Sequence, residues 1–371
     1  MRDGRLFRYS ETGGGPPEAA LLEQEFAAWQ GARYCVAVNS GGCALFLALR
    51  AAGVGPGDKV LLNAFTLAPV PGAIAHAGAD PVLVDITPSL VPDLEDLDRK
   101  AAISGAKVMI ASHMRGHFGD LDALASLCAR HGITLIEDCA HAPGATWQGR
   151  KAGSFGQIGC FSAQSYKHLN GGEGGLIVTD DPDLAAKMIL MSGSYMLYQQ
   201  HLARPEDAVF DRWKGQIPNH SMRMSGLTAA LLRPQLTELD DRIARWRDIH
   251  KRVARYLANH PTLELPSEVP GVELAPTSLQ FLFRDYNPDA ISARLDRMAA
   301  RGVGLKWFGA ASPVGFTSRP QHWEYVMETP MPRTDSILLR LCDLRLPLGL
   351  SDADADLIGS IIAQECARDA G

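Results

Sequence analysis

A lysine followed closely by four glycines is the most chemically suggestive feature of the chain. Lys167 stands five positions after Ser162 and just before the glycines of segment 171–175, and Asp138 follows an apolar run earlier in the chain. Pyridoxal 5'-phosphate (PLP) needs an amine for a Schiff base, a carboxylate that keeps its pyridine nitrogen protonated, and short donors for its phosphate. These residue types therefore predict a PLP site, with a surface lysine beside a hairpin turn as the alternative.

Asp138 and Ser162 each end an apolar, strand-like run. Open α/β sheets bind ligands at the carboxyl ends of their strands, where Asp138 can hold the pyridine nitrogen protonated and Ser162 can donate to the phosphate. Taken alone, such an aspartate is more often a helix cap or turn residue, and such a serine an ordinary strand-end residue. Their pairing with Lys167 favours the cofactor role.

A second phosphate-binding segment is Asn39-Ser40-Gly41-Gly42-Cys43. It follows a strand-like run and opens a helix, so the amides of Gly41, Gly42 and Cys43 lie at a helix N-terminus, which attracts anions. A plain turn between strand and helix that uses its glycines for geometry is the competing explanation.

Several further residues are candidates for the same site. His141 can reach the face or the 3'-oxygen of the cofactor ring, although an ordinary helix-start histidine fits the spacing equally well. Asn219 and Arg223 are candidates to bind phosphate, with surface salt bridging as the commoner fate of an arginine. The basic and aromatic segment 306–309 can line a polar-substrate pocket, with core packing as the alternative for its tryptophan.

Seven short, apolar, β-rich runs alternate with helical segments in the first half of the chain. Their near-continuous apolarity predicts strands buried on both faces of a parallel or mixed sheet, which is typical of an α/β domain. An amphipathic pattern from 225 to 259 predicts one long helix that leaves this domain. We expect a large domain at 1–245 and a smaller C-terminal α/β domain at 246–371, on which the N-terminal segment packs. The strand-like runs are 34–39, 59–63, 81–86, 107–113, 133–138, 158–162 and 175–179.

Composition and charge are those of an ordinary globular protein. The 371 residues are 46% hydrophobic and carry a net charge of -6, which disfavours a surface for nucleic acid or anionic membranes. No apolar run approaches the ~18 to 20 residues of a transmembrane helix, and the first residues lack the apolar core of a signal peptide, so we expect a cytoplasmic protein. Seven scattered cysteines indicate neither a disulfide framework nor a metal site.

Taken together, these segments resemble the DegT/StrS family of PLP-dependent sugar and cyclitol aminotransferases. The resemblance covers nearly the whole chain. It implies the three-layer aspartate aminotransferase fold (fold type I), with a mixed, mostly parallel seven-stranded sheet in the large domain. The segments that carry the resemblance are 23–27, 36–41, 53–60, 137–142, 172–175, 223–230 and 235–236.

The same resemblance implies roles for individual residues. Lys167 would form the Schiff base with PLP, Asp138 would pair with the pyridine nitrogen, and Ser162 would hold the phosphate together with the amides of the glycine loop. The segment around Arg223 resembles one that family members extend across a dimer interface to the phosphate of the neighbouring subunit. A homodimer with shared active sites is therefore expected.

Three positions depart from the usual family pattern. Gly42 replaces a threonine, so the phosphate would rely more on backbone amides and Ser162. Leu67 stands where an aromatic residue usually stacks on the cofactor, so ring packing there would be aliphatic. His141 stands where glutamine is common, and it can still contact the 3'-oxygen. None of these changes removes a group essential to transamination.

The resemblance implies a ping-pong aminotransferase that moves an amino group from glutamate or glutamine to a keto sugar, a nucleotide-linked keto sugar or a keto cyclitol. A PLP-binding regulatory or scaffold protein of the same fold is an alternative from another class. Family members that act as sugar dehydratases have lost the lysine to histidine, so Lys167 makes that reaction a weaker alternative. Desulfuration or aldol cleavage is a third alternative, and desulfuration is disfavoured because no cysteine lies in a glycine-rich mobile loop of the kind that a desulfurase needs.

Overall fold

The computed structural model describes residues 6–9, 15–315, 317–327 and 329–368. Within these ranges the strands form one large sheet and two small ones. In chain order the strands are β1 (Tyr34–Val38), β2 (Lys59–Asn63), β3 (Asp80–Val84), β4 (Val108–Ser112), β5 (Thr134–Asp138), β6 (Thr146–Trp147), β7 (Arg150–Lys151), β8 (Ile158–Ser162), β9 (Gly175–Thr179), β10 (Leu263–Glu264), β11 (Val272–Glu273), β12 (Ser278–Phe283), β13 (Lys306–Trp307) and β14 (Leu341–Arg345).

The large sheet is mixed but mostly parallel. Its seven strands lie in the order β1-β9-β8-β5-β4-β2-β3. Strand β9 pairs antiparallel with β1 and β8, and the other neighbouring strands are parallel. All seven strands coincide within two residues with the apolar runs of the sequence, so the predicted α/β sheet is confirmed.

Burial on both faces explains why these strands are almost wholly apolar. Every residue of β1, β4 and β9 is buried, and consecutive residues of a strand point to opposite faces of the sheet. Met109 and Leu135 belong to the hydrophobic cluster on one face, and their neighbours Ile110 and Ile136 belong to the cluster on the other. A sheet with a packed layer on each side gives the expected three-layer architecture.

The helices supply these outer layers and the rest of the C-terminal half. Within the described ranges, no helix combines the length and the apolarity needed to cross a membrane. In chain order the helices are α1 (Glu18–Gln30), α2 (Gly41–Ala51), α3 (Pro69–His76), α4 (Leu94–Ser104), α5 (Leu121–Arg130), α6 (Pro182–Ser192), α7 (Asp207–Trp213), α8 (Gly226–Thr237), α9 (Leu239–Leu257), α10 (Pro288–Ala300), α11 (Pro332–Leu338) and α12 (Asp352–Ala367).

The prediction of one helix at 225–259 is wrong, because Glu238 separates α8 from α9. Glu238 has φ -100° and ψ 2°, and its amide points to the carbonyl of Leu236. In a continuous helix this amide would donate to the carbonyl of Pro234. The hydroxyl of Thr237 donates to that carbonyl instead, at 2.8 Å. The amphipathic pattern continues across the break, which is why the periodicity did not reveal it.

The C-terminal part of the chain has a sheet and a hydrophobic cluster of its own. The sheet has the strand order β10-β12-β14-β13, and its cluster includes side chains of α9, α10 and α12, such as Trp246, Ile291 and Ile362. Helix α9 begins before and ends after position 245. The division into domains at 1–245 and 246–371 stays a prediction.

The described N-terminal residues pack on the part of the chain that was assigned to the large domain. Arg8 forms a buried ion pair with Glu23, and the hydroxyl of Tyr9 lies 2.8 Å from Nε2 of His201. The carbonyl of Leu6 accepts the Gly226 amide at 2.7 Å. A buried guanidinium needs a carboxylate partner, and Glu23 supplies it for Arg8. The expectation that the N-terminal segment packs on the small domain stays a prediction.

Candidate active site

Lys167 lies on the tight loop between β8 and β9, at the carboxyl end of β8. Main-chain hydrogen bonds close the loop. The Ala163 amide donates to the carbonyl oxygen of Gly174, and the Gly171 amide donates to the carbonyl oxygen of Ala163, each at 2.8 Å. Gly172 has φ +79°, a left-handed conformation that glycine adopts without strain. The glycine cluster therefore serves the geometry of the loop that carries the lysine.

His168 anchors this loop to the C-terminal half of the chain. Its buried ring lies edge-on to Trp246, and Nε2 lies 2.7 Å from the carbonyl oxygen of Ala275. Burial lowers the pKa of His168 to about 4. The ring is therefore neutral at neutral pH, and Nε2 carries the hydrogen that it donates to the carbonyl. Sequence reasoning missed this contact, because Ala275 and Trp246 are distant from His168 in the chain.

The amine of Lys167 lies against the imidazole of His141, with Nζ 2.7 Å from Nε2. Burial lowers the pKa of Lys167 to about 7; the charge of Asp138 opposes this shift, while Arg115 and Lys306 reinforce it. Burial, and then the charge of Lys167, holds the pKa of His141 well below its ordinary value. Near neutral pH much of Lys167 is therefore the free amine, which can act as a nucleophile and as a base.

The lowered pKa predicts how the reactivity of Lys167 depends on pH. Because the folded protein favours the neutral amine above a pKa of about 7, modification of Lys167 in the cofactor-free protein should rise through that pH and level off one unit higher. An ordinary lysine titrates near ~10.4. Reductive methylation across a pH series, with mass spectrometry of the Lys167 peptide, measures the midpoint. A midpoint shared with ordinary lysines would contradict the proposed environment.

Asp138 ends β5 and is oriented by a chain of hydroxyl groups. Thr66 Oγ1 donates to Ser112 Oγ at 2.8 Å, and Ser112 Oγ donates to Asp138 Oδ2 at 2.8 Å. The other carboxylate oxygen, Oδ1, accepts the Ala140 amide at 3.1 Å. Strands β4 and β5 are parallel neighbours that pair Ser112 with Asp138. The carboxylate therefore lies at the carboxyl ends of these strands, where open α/β sheets bind ligands. Sequence reasoning missed Thr66 and Ser112.

The neighbouring carboxylate, Glu137, has a different environment. It is fully buried, lies 3.0 Å from Nε2 of His113, and accepts the amides of Gly153, Phe155 and Gly156 at 2.7 to 2.8 Å. Burial works to raise the pKa of Glu137, but the hydrogen bonds from His113 and the amides bring it below its ordinary value. These donors saturate the carboxylate, so Glu137 stabilises the turn before β8. One carboxylate oxygen of Glu137, one ring nitrogen of His113 and the Cys139 sulfur lie within 4.8 Å of one another.

Ser162 and the glycine segment 39–43, two of the predicted phosphate-binding elements, converge at the ends of β1, β9 and β8. A Cβ atom on Gly41 would lie 2.8 Å from Ser162 Cβ, and one on Gly175 would collide with the carbonyl oxygen of Ser40. Helix α2 begins at Gly41, and the Cys43 amide donates to Ser40 Oγ at 3.1 Å. Cys43 therefore completes the helix cap, while the first two amides, of Gly41 and Gly42, have no acceptor within their own helix.

The two glycines at the start of α2 give a matched pair of variants. Gly41→Ala places a methyl group against Ser162, whereas the nearest atom to a Cβ at position 42 is Ser40 Oγ at 3.9 Å. We expect Gly41→Ala to weaken PLP binding about tenfold or more, since the serine and the helix N-terminus must move apart. Gly42→Ala should stay within about threefold of wild type. Titration of the cofactor-free protein measures both, and equal affinities would contradict this placement.

Leu67 lies one residue beyond Thr66 and packs beside a cluster that includes Phe65 and Phe308. Its half-buried side chain extends an aliphatic surface from that cluster. The expectation that Leu67 packs on the cofactor ring stays a prediction. Phe308 itself belongs to the core and contacts Phe65 edge-on, whereas Lys306, two residues earlier, lies beside Asp343 at 3.9 Å.

Asn219 and Arg223 lie away from Lys167, on the outer side of β1. Arg223 forms a β-bridge with Val38, donates from Nη1 to the Gly193 carbonyl at 3.2 Å, and stacks near the ring of Tyr195. Asn219 is exposed, and its side-chain oxygen accepts the amide of Ser221. Within one subunit, these contacts do not bring either residue to the amine.

The residues around Lys167 fit the three chemical needs of PLP. The chain offers a buried amine with a pKa of about 7, a carboxylate at a strand end that is oriented by Ser112, and the start of α2 packed closely on Ser162. A methyl group at position 41 would collide with Ser162, so the start of α2 and the serine approach each other as closely as glycine allows.

Comparisons with known proteins agree with this arrangement. Residues 11–363 match the model of the DegT/DnrJ/EryC1/StrS aminotransferase family. The chain is 33% identical to the dTDP-3-amino-3,4,6-trideoxy-alpha-D-glucose transaminase of Streptomyces venezuelae over 340 residues, which cover 90% of the chain and 82% of the relative. It is 38% identical to the L-glutamine:2-deoxy-scyllo-inosose aminotransferase of Streptoalloteichus tenebrarius over 222 residues, 60% of the chain and 52% of the relative. The chain thus spans less than two thirds of the length of some curated relatives.

A solved structure supports the same assignment. The crystal structure of 3-amino-5-hydroxybenzoic acid (AHBA) synthase superposes with a TM-score of 0.83 and 28% sequence identity, covering 99% of this chain and 94% of that one. Three observations lead to one assignment. The chain has the seven-stranded sheet, residues 11–363 match the family model, and the chain is 33% identical to a transaminase over 90% of its length. The chain belongs to the DegT/DnrJ/EryC1/StrS aminotransferase family.

Proposed function

We propose that this chain is a PLP-dependent aminotransferase that moves an amino group from glutamate or glutamine to a ketone of a sugar, a nucleotide-linked sugar or a cyclitol. The observation that carries the proposal is the amine of Lys167, which lies 2.7 Å from Nε2 of His141 and whose pKa burial lowers to about 7. Two relatives support the acceptor class by their names, which refer to a dTDP-linked amino sugar and to an inosose.

The roles of the residues follow from their positions. PLP, when bound, supplies an electron sink and carries the amino group between the two half-reactions. Lys167 Nζ, neutral near pH 7, accepts the proton from Cα of the amino donor. His141 holds this amine at 2.7 Å, and Asp138 would keep the pyridine nitrogen protonated. The amides at the start of α2 and the hydroxyl of Ser162 would bind the phosphate.

The two half-reactions test this function separately. Glutamate or glutamine added to the PLP-loaded protein should remove its visible absorbance band and release the corresponding oxo acid, which mass spectrometry quantifies. A panel of keto sugars, nucleotide-linked keto sugars and keto cyclitols should then restore the band and yield the aminated product. Persistence of the band with every amino donor would contradict amino transfer and favour a regulatory or scaffold role.

We also propose a homodimer in which the segment around Asn219 and Arg223 enters the neighbouring site. Two exposed rings lie near Arg223, those of Phe7 and Tyr195, which are 52% and 55% exposed. Met196, the next residue after Tyr195, is 59% exposed. Contiguous apolar surface of this kind marks interaction sites. A two-fold dimer would cover this face and bring the segment to a second copy of the chain.

Mixing two defective variants tests this dimer. Lys167→Ala lacks the amine, and the double variant Asn219→Ala/Arg223→Ala lacks the proposed donors. If the donors act across the interface, one of the two sites in a mixed dimer has both groups intact. Random mixing of equal amounts makes about half of the dimers mixed, so about a quarter of wild-type activity should return. Activity of the mixture no higher than the mean of the two separate variants would contradict sharing of the site.

A further inference from the structure

Arg115 is a buried arginine at the edge of the candidate active site. It follows β4 by three positions, and a Cβ atom on the next residue, Gly116, would lie 3.1 Å from the carbonyl oxygen of His141. Ser112, at the end of the same strand, donates to Asp138. Arg115 therefore lies in a segment whose neighbouring residues, Ser112 and Gly116, approach Asp138 and His141.

Two features of Arg115 are costly for the folded protein. Its φ is +57°, a left-handed conformation that is uncommon for residues other than glycine and is often found at functional sites. Its side chain is 9% exposed, yet Nε and Nη2 have no hydrogen-bond partner among the described residues. Buried polar groups are normally hydrogen-bonded, so both features call for an explanation.

The carboxylate of Asp343 balances the charge of Arg115 without using its donors. Nη2 of Arg115 lies 2.9 Å from Oδ2 of Asp343, but the angles are not those of a hydrogen bond, and this oxygen also lacks a hydrogen-bond partner in the described part of the chain. Asp343 Oδ1 instead accepts Nε2 of Gln280 at 2.8 Å. The ion pair makes burial of the arginine tolerable, while the edge formed by Nε and Nη2 keeps its hydrogen-bonding capacity.

Further positive charge surrounds this edge. Lys306 pairs with Asp343 across β13 and β14, with its Nζ 3.9 Å from Asp343 Oδ2. Arg345 lies over the ring of Tyr166 at 3.9 Å, next to Lys167 in the chain. Burial lowers the pKa of Lys167, and the charges of Arg115 and Lys306 act in the same direction.

We propose that Arg115, with Lys306 beside it, binds a carboxylate group of a substrate while the adjacent carbon reacts at Lys167. The Nε and Nη2 hydrogens of a guanidinium point in parallel and match the two oxygens of a carboxylate. The carboxylate belongs either to the amino donor or to the acceptor. The inference rests on the proposed amino transfer and names the residues that bind an acidic group of one of its substrates.

Binding of unreactive carboxylates to the PLP-loaded protein tests this inference. Glutarate serves as a probe for the donor and cyclohexanecarboxylate as a probe for the acceptor, each compared with its neutral amide by calorimetric titration. Arg115→Gln and Arg115→Lys should weaken binding of at least one carboxylate about tenfold to a hundredfold and leave the amides unchanged. Arg130→Gln, which removes an exposed guanidinium from α5, is the control. The cofactor spectrum and the melting temperature verify folding.

The pattern of losses identifies the source of the carboxylate. Loss for glutarate alone assigns the site to the donor, and loss for cyclohexanecarboxylate alone assigns it to the acceptor. Asp343→Asn should strengthen binding of the same probe, because it removes the competing negative charge and keeps an oxygen for Gln280. Unchanged carboxylate binding in both Arg115 variants, with or without a lower melting temperature, would overturn the inference and leave Arg115 a structural ion pair.

The titration needs no turnover, so it distinguishes this inference from the proposed function. A protein that binds the carboxylate through Arg115 but releases no oxo acid from glutamate or glutamine would contradict amino transfer alone. A protein that releases the oxo acid but binds both probes equally with and without Arg115 would contradict the carboxylate site alone.

Discussion

Replacement of Lys167 with alanine is expected to lower the rate of amino transfer by about 10⁴-fold, the upper end of what a positioned acid or base contributes. The variant loses both the amine that links the cofactor to the chain and the base that accepts the donor's proton. The amine that is removed lies 2.7 Å from Nε2 of His141. Release of oxo acid from saturating glutamate or glutamine measures the loss, and the visible band of the lysine-linked cofactor should be absent.

Two controls separate loss of chemistry from loss of structure. Lys59→Ala removes an exposed lysine at the start of β2 and should leave the rate unchanged. Methylamine in solution should partly restore turnover to Lys167→Ala, because it supplies the missing amine without altering the fold. A Lys167→Ala protein that keeps even a tenth of wild-type activity would contradict the role assigned to this residue.

Asp138→Asn is expected to have the second largest effect, a loss of about a hundredfold in kcat, equivalent to ~2.7 kcal/mol of transition-state stabilisation. Asparagine has nearly the same shape and can still accept the hydrogen bond from Ser112, which reaches Asp138 Oδ2 at 2.8 Å. It lacks the negative charge that would keep the pyridine nitrogen protonated. The expected loss is therefore in kcat, with little change in melting temperature.

The control for this variant is Asp211→Asn, an exposed carboxylate on α7 that pairs with Lys214. It removes the same charge from the surface and should leave kcat and the cofactor spectrum as in wild type. A kcat for Asp138→Asn within threefold of wild type would show that Asp138 does not act on the cofactor ring, and another group would have to hold the pyridine nitrogen.

The sheet was predictable from sequence because its strands are buried on both faces. Such strands appear in the sequence as apolar runs, and each of the seven runs coincides with a strand of the large sheet. The break at Glu238 was not predictable from periodicity, because α8 and α9 keep one apolar face through it. Helix α8 ends where the Thr237 hydroxyl, instead of the Glu238 amide, donates a hydrogen bond to the carbonyl oxygen of Pro234.

Sequence reasoning could propose the residues that the expected chemistry requires. It could not propose the ordinary residues that orient them. A lysine in a glycine-rich loop and an aspartate at a strand end are recognisable as candidates when they occur together. The groups that orient them are common residues whose partners are remote in sequence: Ser112 lies 26 positions from Asp138, and His168 lies 107 positions from Ala275. Arg115 belongs to the same class, since its burial and its backbone conformation appear only in three dimensions.

Transfer of labelled nitrogen in a single turnover tests the central claim most directly. The PLP-loaded protein is mixed with glutamate or glutamine that carries nitrogen-15 in the α-amino group, the protein is denatured, and the released cofactor is analysed by mass spectrometry. We predict one labelled nitrogen in the cofactor per Lys167 site, matched by one equivalent of oxo acid, and none in Lys167→Ala. Cofactor without label after complete mixing with both donors would contradict the account.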